Sequence, residues 1–170
     1  MIVEVSKIPK RNKIVDAPTD NLEELFEVFK TMERICNENG GIGLSAVQIG
    51  IPWKIFVIKG DGTGKIPKGS FWNFVNCEYS SIGIETMKSV EGCLSIKDQN
   101  GHCIRYEVNR FPIVSVCGKR LINGKEKGLF IHPYKDTIAA FEQGIVFQHE
   151  IDHHRGRLIS DFGKLLNGTN

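Results

Sequence analysis

Residues 53–79 read WKIFVIKGDGTGKIPKGSFWNFVNCEY, and the class of fold turns on how they are taken. Two runs, WKIFVIK (53–59) and FWNFVNCEY (71–79), are rich in β-branched and aromatic residues, and DGTGKIPKG between them carries the Gly and Pro of a loop. Strands that follow each other with no helix between pair antiparallel. The pattern continues through IGIETMKSV (82–90), HCIRYEV (102–108) and PIVSVCG (112–118), and Ile122-Asn123-Gly124 reads as the turn of a further hairpin. Upstream, residues 20–39 place Leu22, Leu25, Phe26, Phe29, Met32, Ile35 and Cys36 on one stripe of an amphipathic helix. Asp20 with Glu23 reads as its capping box and Gly40-Gly41 as its stop. Downstream, a second helix is expected from Asp136 or Thr137 to Gly156, with Ile138, Phe141, Ile145 and Gln148 on one face. Helix, many strands, helix is an α+β order, with antiparallel β-sheets packed around the second helix.

Composition narrows the function classes. The chain has 170 residues, 41% hydrophobic and 25% charged, which suits a single domain over 1–170. A net charge of +2 with no basic stripe argues against nucleic acid or membrane as partner. Lys and Arg gather only in KRLINGKEK (119–127), read as a solvated hairpin. The N-terminus MIVEVSKIPKRN has no apolar core of a signal peptide, and no run reaches the roughly 18 apolar residues of a membrane helix. Five cysteines without a C-x-x-C pair suit a reducing, cytoplasmic setting, most of them as buried small hydrophobes.

Chemistry concentrates in FQHEIDHHRG (147–156). On a helix His149 and His153 project from one face and can share a metal ion, with Glu150 beside them as a general base. Shuffling this composition yields H-E-x-x-H in about one chain in a hundred, so the pattern carries weight. A catalytic site needs a third protein ligand. His154 points about 100° away around the helix. Cys93, His102, Cys103, His132 and the carboxylates remain open on spacing alone.

Two further stretches, GIGLSAVQIG (41–50) and EGCLS (91–95), precede QHEIDH (148–153). In this order and spacing the three motifs resemble those of the peptide deformylases. The resemblance implies hydrolysis of the N-formyl group from the N-terminal formylmethionine of newly made polypeptides, with release of formate. It implies Cys93 as the third ligand of one divalent metal, Fe(II) natively with Zn, Ni or Co as substitutes. It implies Glu150 as the base, with the Gln48 amide and the Leu94 N–H steadying the oxyanion. Gly92 would let the backbone turn so that the sulfur reaches the metal. Gly41-Ile42-Gly43-Leu44 would pair with the substrate as an added strand. Ile42, Leu44, Ile145 and Val146 are the expected walls of the methionine pocket. Glu91 is expected to pair with Arg105 and so brace EGCLS, and Asp152 to anchor the helix end to an arginine.

The chain departs from the family pattern at several places. Ser45 stands in place of alanine, His154 of leucine, Lys97 of proline and Asn100 of an arginine. His154 is therefore read as a surface or packing residue. Arg110 to Asp136 is longer than in compact members. Only 17 residues follow His153, ending in GKLLNGTN, so a ribosome-docking helix is not expected. N-formylmethionyl nascent peptides are the expected partners, in a bacterial or phage-like context, and the chain is expected to be a monomer.

Overall fold

The computed structural model describes residues 1–166, apart from the side chain of Glu142; the last four residues of the tail, whose polar end the sequence reading noted, lie outside it. Helix α1 (Leu22–Glu38) buries Leu25, Phe29, Met32, Ile35 and Cys36. Its cap sits one residue later than the capping box expected at Asp20 and Glu23. Asn21 Oδ1 accepts from the Glu24 N–H at 3.1 Å, and Asn21 Nδ2 donates to Glu24 Oε2 at 3.2 Å. Asn is as good a cap as Asp, so spacing alone could not separate the two. The helix stops at Gly40, whose φ of 65° is costly for any residue with a Cβ.

The strands form two antiparallel sheets. The first has the order β1 (Gly43–Ser45), β2 (Ile55–Lys59), β3 (Phe71–Ser81), β6 (Ile113–Gly124) and β7 (Gly128–Ala139). The second has β4 (Met87–Lys97), β5 (Cys103–Arg110) and the short β8 (Lys164–Leu165). The 53–79 stretch supplies β2 and β3, paired from Ile55↔Val75 to Lys59↔Phe71 as their residue types dictate. The 119–127 stretch forms the end of the β6–β7 hairpin, which closes at Gly124↔Gly128; Lys125 to Lys127 are exposed there, whereas Leu121 is buried and Arg120 stacks on the Trp72 ring.

Two boundaries differ from the sequence reading. The strand read at 82–90 begins only at Met87, because Ile84 lies in an exposed loop, and it continues unbroken through EGCLS to Lys97. The second helix starts not at Asp136 or Thr137 but at Ile145. Residues up to Ala139 are held as β7 by pairing with β6, and Ile138 is buried in that sheet. The helical spacing of Ile138, Phe141, Ile145 and Gln148 was coincidental, since Phe141 is 75% exposed. A wide turn over Ala140–Gly144 then leads into α2 (Ile145–His154).

α2 is the central element, packed against β1, β2 and β3. Phe147 anchors it, with its ring 4.8 Å from Phe74 and 5.8 Å from Phe56, both edge-on. Burying such a side chain is worth about 1.5–3 kcal/mol, and here it fixes the helix two residues before His149. His154 is a packing residue rather than a surface one. It is 3% exposed, lies near the Phe56 ring, and has Nε2 3.3 Å from the Ile55 carbonyl. Cys36, Cys77 and Cys93 are buried, Cys103 is half-buried and Cys117 exposed, all with free thiols. Among the described residues no helix is long and apolar enough to cross a membrane.

Candidate metal centre

His149 and His153 leave the same face of α2, with ring centroids 5.0 Å apart. Cys93 approaches from β4. Between the pairs Gly92↔Arg105 and Lys97↔Cys103, the residues Cys93–Ile96 stand against Ile104 alone, so β4 bulges there. The bulge carries Cys93 Sγ to 3.5 Å from His153 Nε2. One donor atom from each of Cys93, His149 and His153 lies within 4.8 Å of the others. The remaining open candidates are elsewhere: His102 and His132 are exposed, His154 faces β2, and Cys103 lies outside the cluster.

A thiolate and two imidazoles at this spacing fit one divalent ion, whose bonds to such donors are about 2.0–2.3 Å long. The surroundings fit as well. Glu91 Oε2 lies 2.9 Å from His149 Nδ1, which leaves the ring's other nitrogen for an ion. Burial disfavours the His149 imidazolium, but hydrogen bonds to Cys93 and Glu91 outweigh it and push the ring up to about 10. The environment of this nitrogen pair thus favours positive charge. Burial pushes His153 well below the ordinary histidine range, with His149 adding to the shift.

Glu91 does not pair with Arg105. Its partner is Arg110, whose Nε donates to Oε1 at 2.6 Å and Nη2 to Oε2 at 2.7 Å. The reason is strand parity. Glu91 faces Tyr106 in the register, so alternate residues of β5 from Tyr106 to Arg110 share its face, and Arg105 points to the other. Arg110 also donates from Nη1 to Asp152 Oδ2 at 2.7 Å, and Tyr79 Oη to Asp152 Oδ1 at 3.2 Å. Asp152 is thus tied to an arginine, and Glu91, Arg110 and Asp152 are all buried. Burial alone would raise the Glu91 carboxyl, but Arg110 and His149 hold it down at about 2.

Glu150 follows His149 on α2 and is 3% exposed. Burial pushes its carboxyl up to about 7; His149 opposes the shift and Glu91 adds to it. Its Oε2 is buried without a hydrogen-bond partner among the described residues, and a Cβ on Gly43 would come within 2.5 Å of Oε1. Gln48 is 1% exposed and doubly held. Its Oε1 accepts from the Ser45 N–H at 2.9 Å, and its Nε2 donates to Ser95 Oγ at 3.1 Å and lies 3.4 Å from Cys93 Sγ. Leu94, in the bulge, lines the cleft.

The cleft above these groups has a volume of about 500 Å³. Ile42, Gly43, Glu91, Gly92, Ile145 and Val146 line it. Leu44 does not: it is fully buried in the core beneath α1, because the short strand β1 turns it inward. Gly92 makes no sharp turn either. It lies within β4, and what it permits is close approach, since a Cβ there would sit 3.2 Å from Cys103 Cβ. The sequence reading missed three residues of the site. Arg110 and Ser95 carried signals in strand parity and in EGCLS itself. Gln143 carried none: it lines the cleft at φ 70°, with a buried Nε2 that has no partner among the described residues.

The polypeptide deformylase family profile matches residues 2–166. The chain is 35% identical over 153 residues to the peptide deformylase of Thermotoga petrophila, covering 89% of this chain and 78% of that one. It is 32% identical over 160 residues to that of Wolbachia from Brugia malayi, covering 89% and 79%. Among solved structures, the peptide deformylase of Thermotoga maritima superposes with a TM-score of 0.73 at 26% identity, covering 95% of each chain. That of Legionella pneumophila gives 0.71 at 27% identity, covering 95% and 84%.

Removing one member of a buried ion network leaves uncompensated charge, at a cost of about 3–5 kcal/mol. Arg110→Leu is therefore expected to lower stability by that amount in urea unfolding and to reduce retained metal. Wild-type stability and metal content in this variant would remove the network from the account.

Proposed function

The chain belongs to the peptide deformylase family, and from that premise we propose how its own residues remove the N-formyl group from the N-terminal formylmethionine of newly made polypeptides. The reaction hydrolyses a formamide C–N bond and releases formate. The observation that carries the assignment of roles is the convergence of Cys93, His149 and His153 donor atoms within 4.8 Å, with Glu150 lining the same cleft.

Cys93, His149 and His153 would hold one divalent ion, which would supply the positive charge that makes water more acidic and a carbonyl more electrophilic. Glu150, a buried carboxylate with one partnerless oxygen, accepts the proton of the attacking water. It then returns that proton to the leaving nitrogen, so the amine departs neutral beside formic acid, and the acid's remaining proton passes to the amine or to solvent to leave formate. Gln48 Nε2 and the Leu94 N–H donate to the oxyanion as it forms. Ser95 Oγ and the Ser45 N–H keep the Gln48 amide aimed at that position before substrate arrives.

The methionine side chain enters between Ile42, Ile145 and Val146. The substrate backbone pairs with β1, which is bonded to β2 on one side only and has Gly43 facing the cleft. Glu91 orients His149, and Arg110 with Asp152 holds Glu91 and α2 in place. Residues 1–170 act as one catalytic domain, in the cytoplasm and as a monomer.

Ferrous iron is the proposed native ion. A thiolate on iron is open to oxidation, so protein prepared without oxygen and loaded with Fe(II) is expected to release formate from formyl-Met peptides faster than the zinc form. Equal rates would overturn the iron assignment. Glu150→Gln is expected to keep its metal and lose about 10²–10⁴-fold in turnover, the usual contribution of a general base. Full turnover in a metal-loaded Glu150→Gln protein would assign the proton transfer to another group.

A further inference from the structure

The charges that line the cleft are unequally satisfied. Glu91 is paired with Arg110 and His149. Asp61 is turned into its own loop, its Oδ1 accepting from the Thr63 N–H at 2.8 Å and from Thr63 Oγ1 at 2.7 Å. Glu150 sits at the centre of the chemistry. Arg105 is the only Lys or Arg among the described cleft residues, and its guanidinium has no ion-pair or hydrogen-bond partner among the described residues.

Its position is set by the register. Arg105 lies across from Gly92, the residue before Cys93, on the strand face away from Glu91. A Cβ on Gly92 would lie 3.3 Å from Arg105 Nη1, so the guanidinium leans back over the glycine beside the metal cysteine. With the formyl group at Cys93, the residues after methionine follow at about 3.3 Å each in an extended chain. The second and third side chains thus pass within reach of a guanidinium on the neighbouring strand, about 4.8 Å from β4.

We propose that Arg105 is a specificity-determining residue that makes this protein favour formylated peptides carrying an acidic side chain at the second or third position. The inference rests on the deformylase reading of the cleft. An exposed guanidinium–carboxylate contact is modest, and attraction of an acid combined with repulsion of a lysine gives roughly threefold to tenfold discrimination. It acts on binding, so it enters through KM, and it weakens as salt screens it.

The test uses the iron-loaded protein with formyl-Met-Xaa-Ala and formyl-Met-Ala-Xaa peptides, Xaa being Glu, Gln or Lys. Amidated ends remove the terminal carboxylate. At low salt the Glu peptide is expected to exceed the Lys peptide in kcat/KM by roughly threefold to tenfold in at least one series, mainly in KM. Arg105→Gln is expected to bring the ratio close to one, Arg105→Glu to invert it, and Arg105→Lys to restore part of it. Equal kcat/KM for Glu and Lys peptides in both series, or a ratio unchanged in Arg105→Glu, would overturn the inference while leaving the deformylase reading intact. Absence of formate from every peptide would overturn that reading, and this inference with it.

Discussion

The guanidinium of Arg110 is the joint on which the site depends. It donates two hydrogen bonds to Glu91 on β4 and one to Asp152 on α2, and all three side chains are buried. A charged group in such a place is tolerated only when it is paired and hydrogen-bonded, so the two carboxylates and the arginine require one another. Through Glu91 the joint reaches His149, and through Asp152 it holds the helix that carries His149, Glu150 and His153. The second sheet contributes the sulfur from the same strand as Glu91. One network therefore sets the relative position of all three donors.

Electrostatics around the donors follow from that arrangement. Glu91, held as a carboxylate, favours positive charge on the His149 ring, either a proton or an ion at the free nitrogen. Uptake of one displaces the other. Glu150 has no such partner for one of its oxygens, and burial leaves it with a carboxyl that titrates at about 7. Two buried acids, one on β4 and one on α2, thus have opposite shifts because one is ion-paired and the other is not. That divergence suits a structural carboxylate beside a proton-transferring one.

Much of this was legible in the residues. The α1 stripe, the β2 and β3 runs and the three motifs each announce themselves locally, because side-chain period and glycine placement are local properties. The errors arose where a partner decides. Ile138 follows a helical spacing, yet pairing with β6 makes it strand. Arg105 is nearer to Glu91 in sequence than Arg110, yet strand alternation puts Arg110 on the right face. Leu44 follows the cleft residues Ile42 and Gly43 and still turns into the core. Gln143 is a polar residue in a left-handed conformation, which no pattern in the chain signals.

The central claim is that Cys93, His149 and His153 hold one catalytic ion. The most direct test is to load the protein with Co(II), which reports a thiolate ligand through a sulfur-to-metal charge-transfer band, and to follow formate release in the same samples. One Co(II) per chain, a thiolate band that disappears in Cys93→Ala, and activity rising in step with bound Co(II) is the predicted result. A thiolate band that persists in Cys93→Ala, or activity that does not depend on bound metal, would contradict the account.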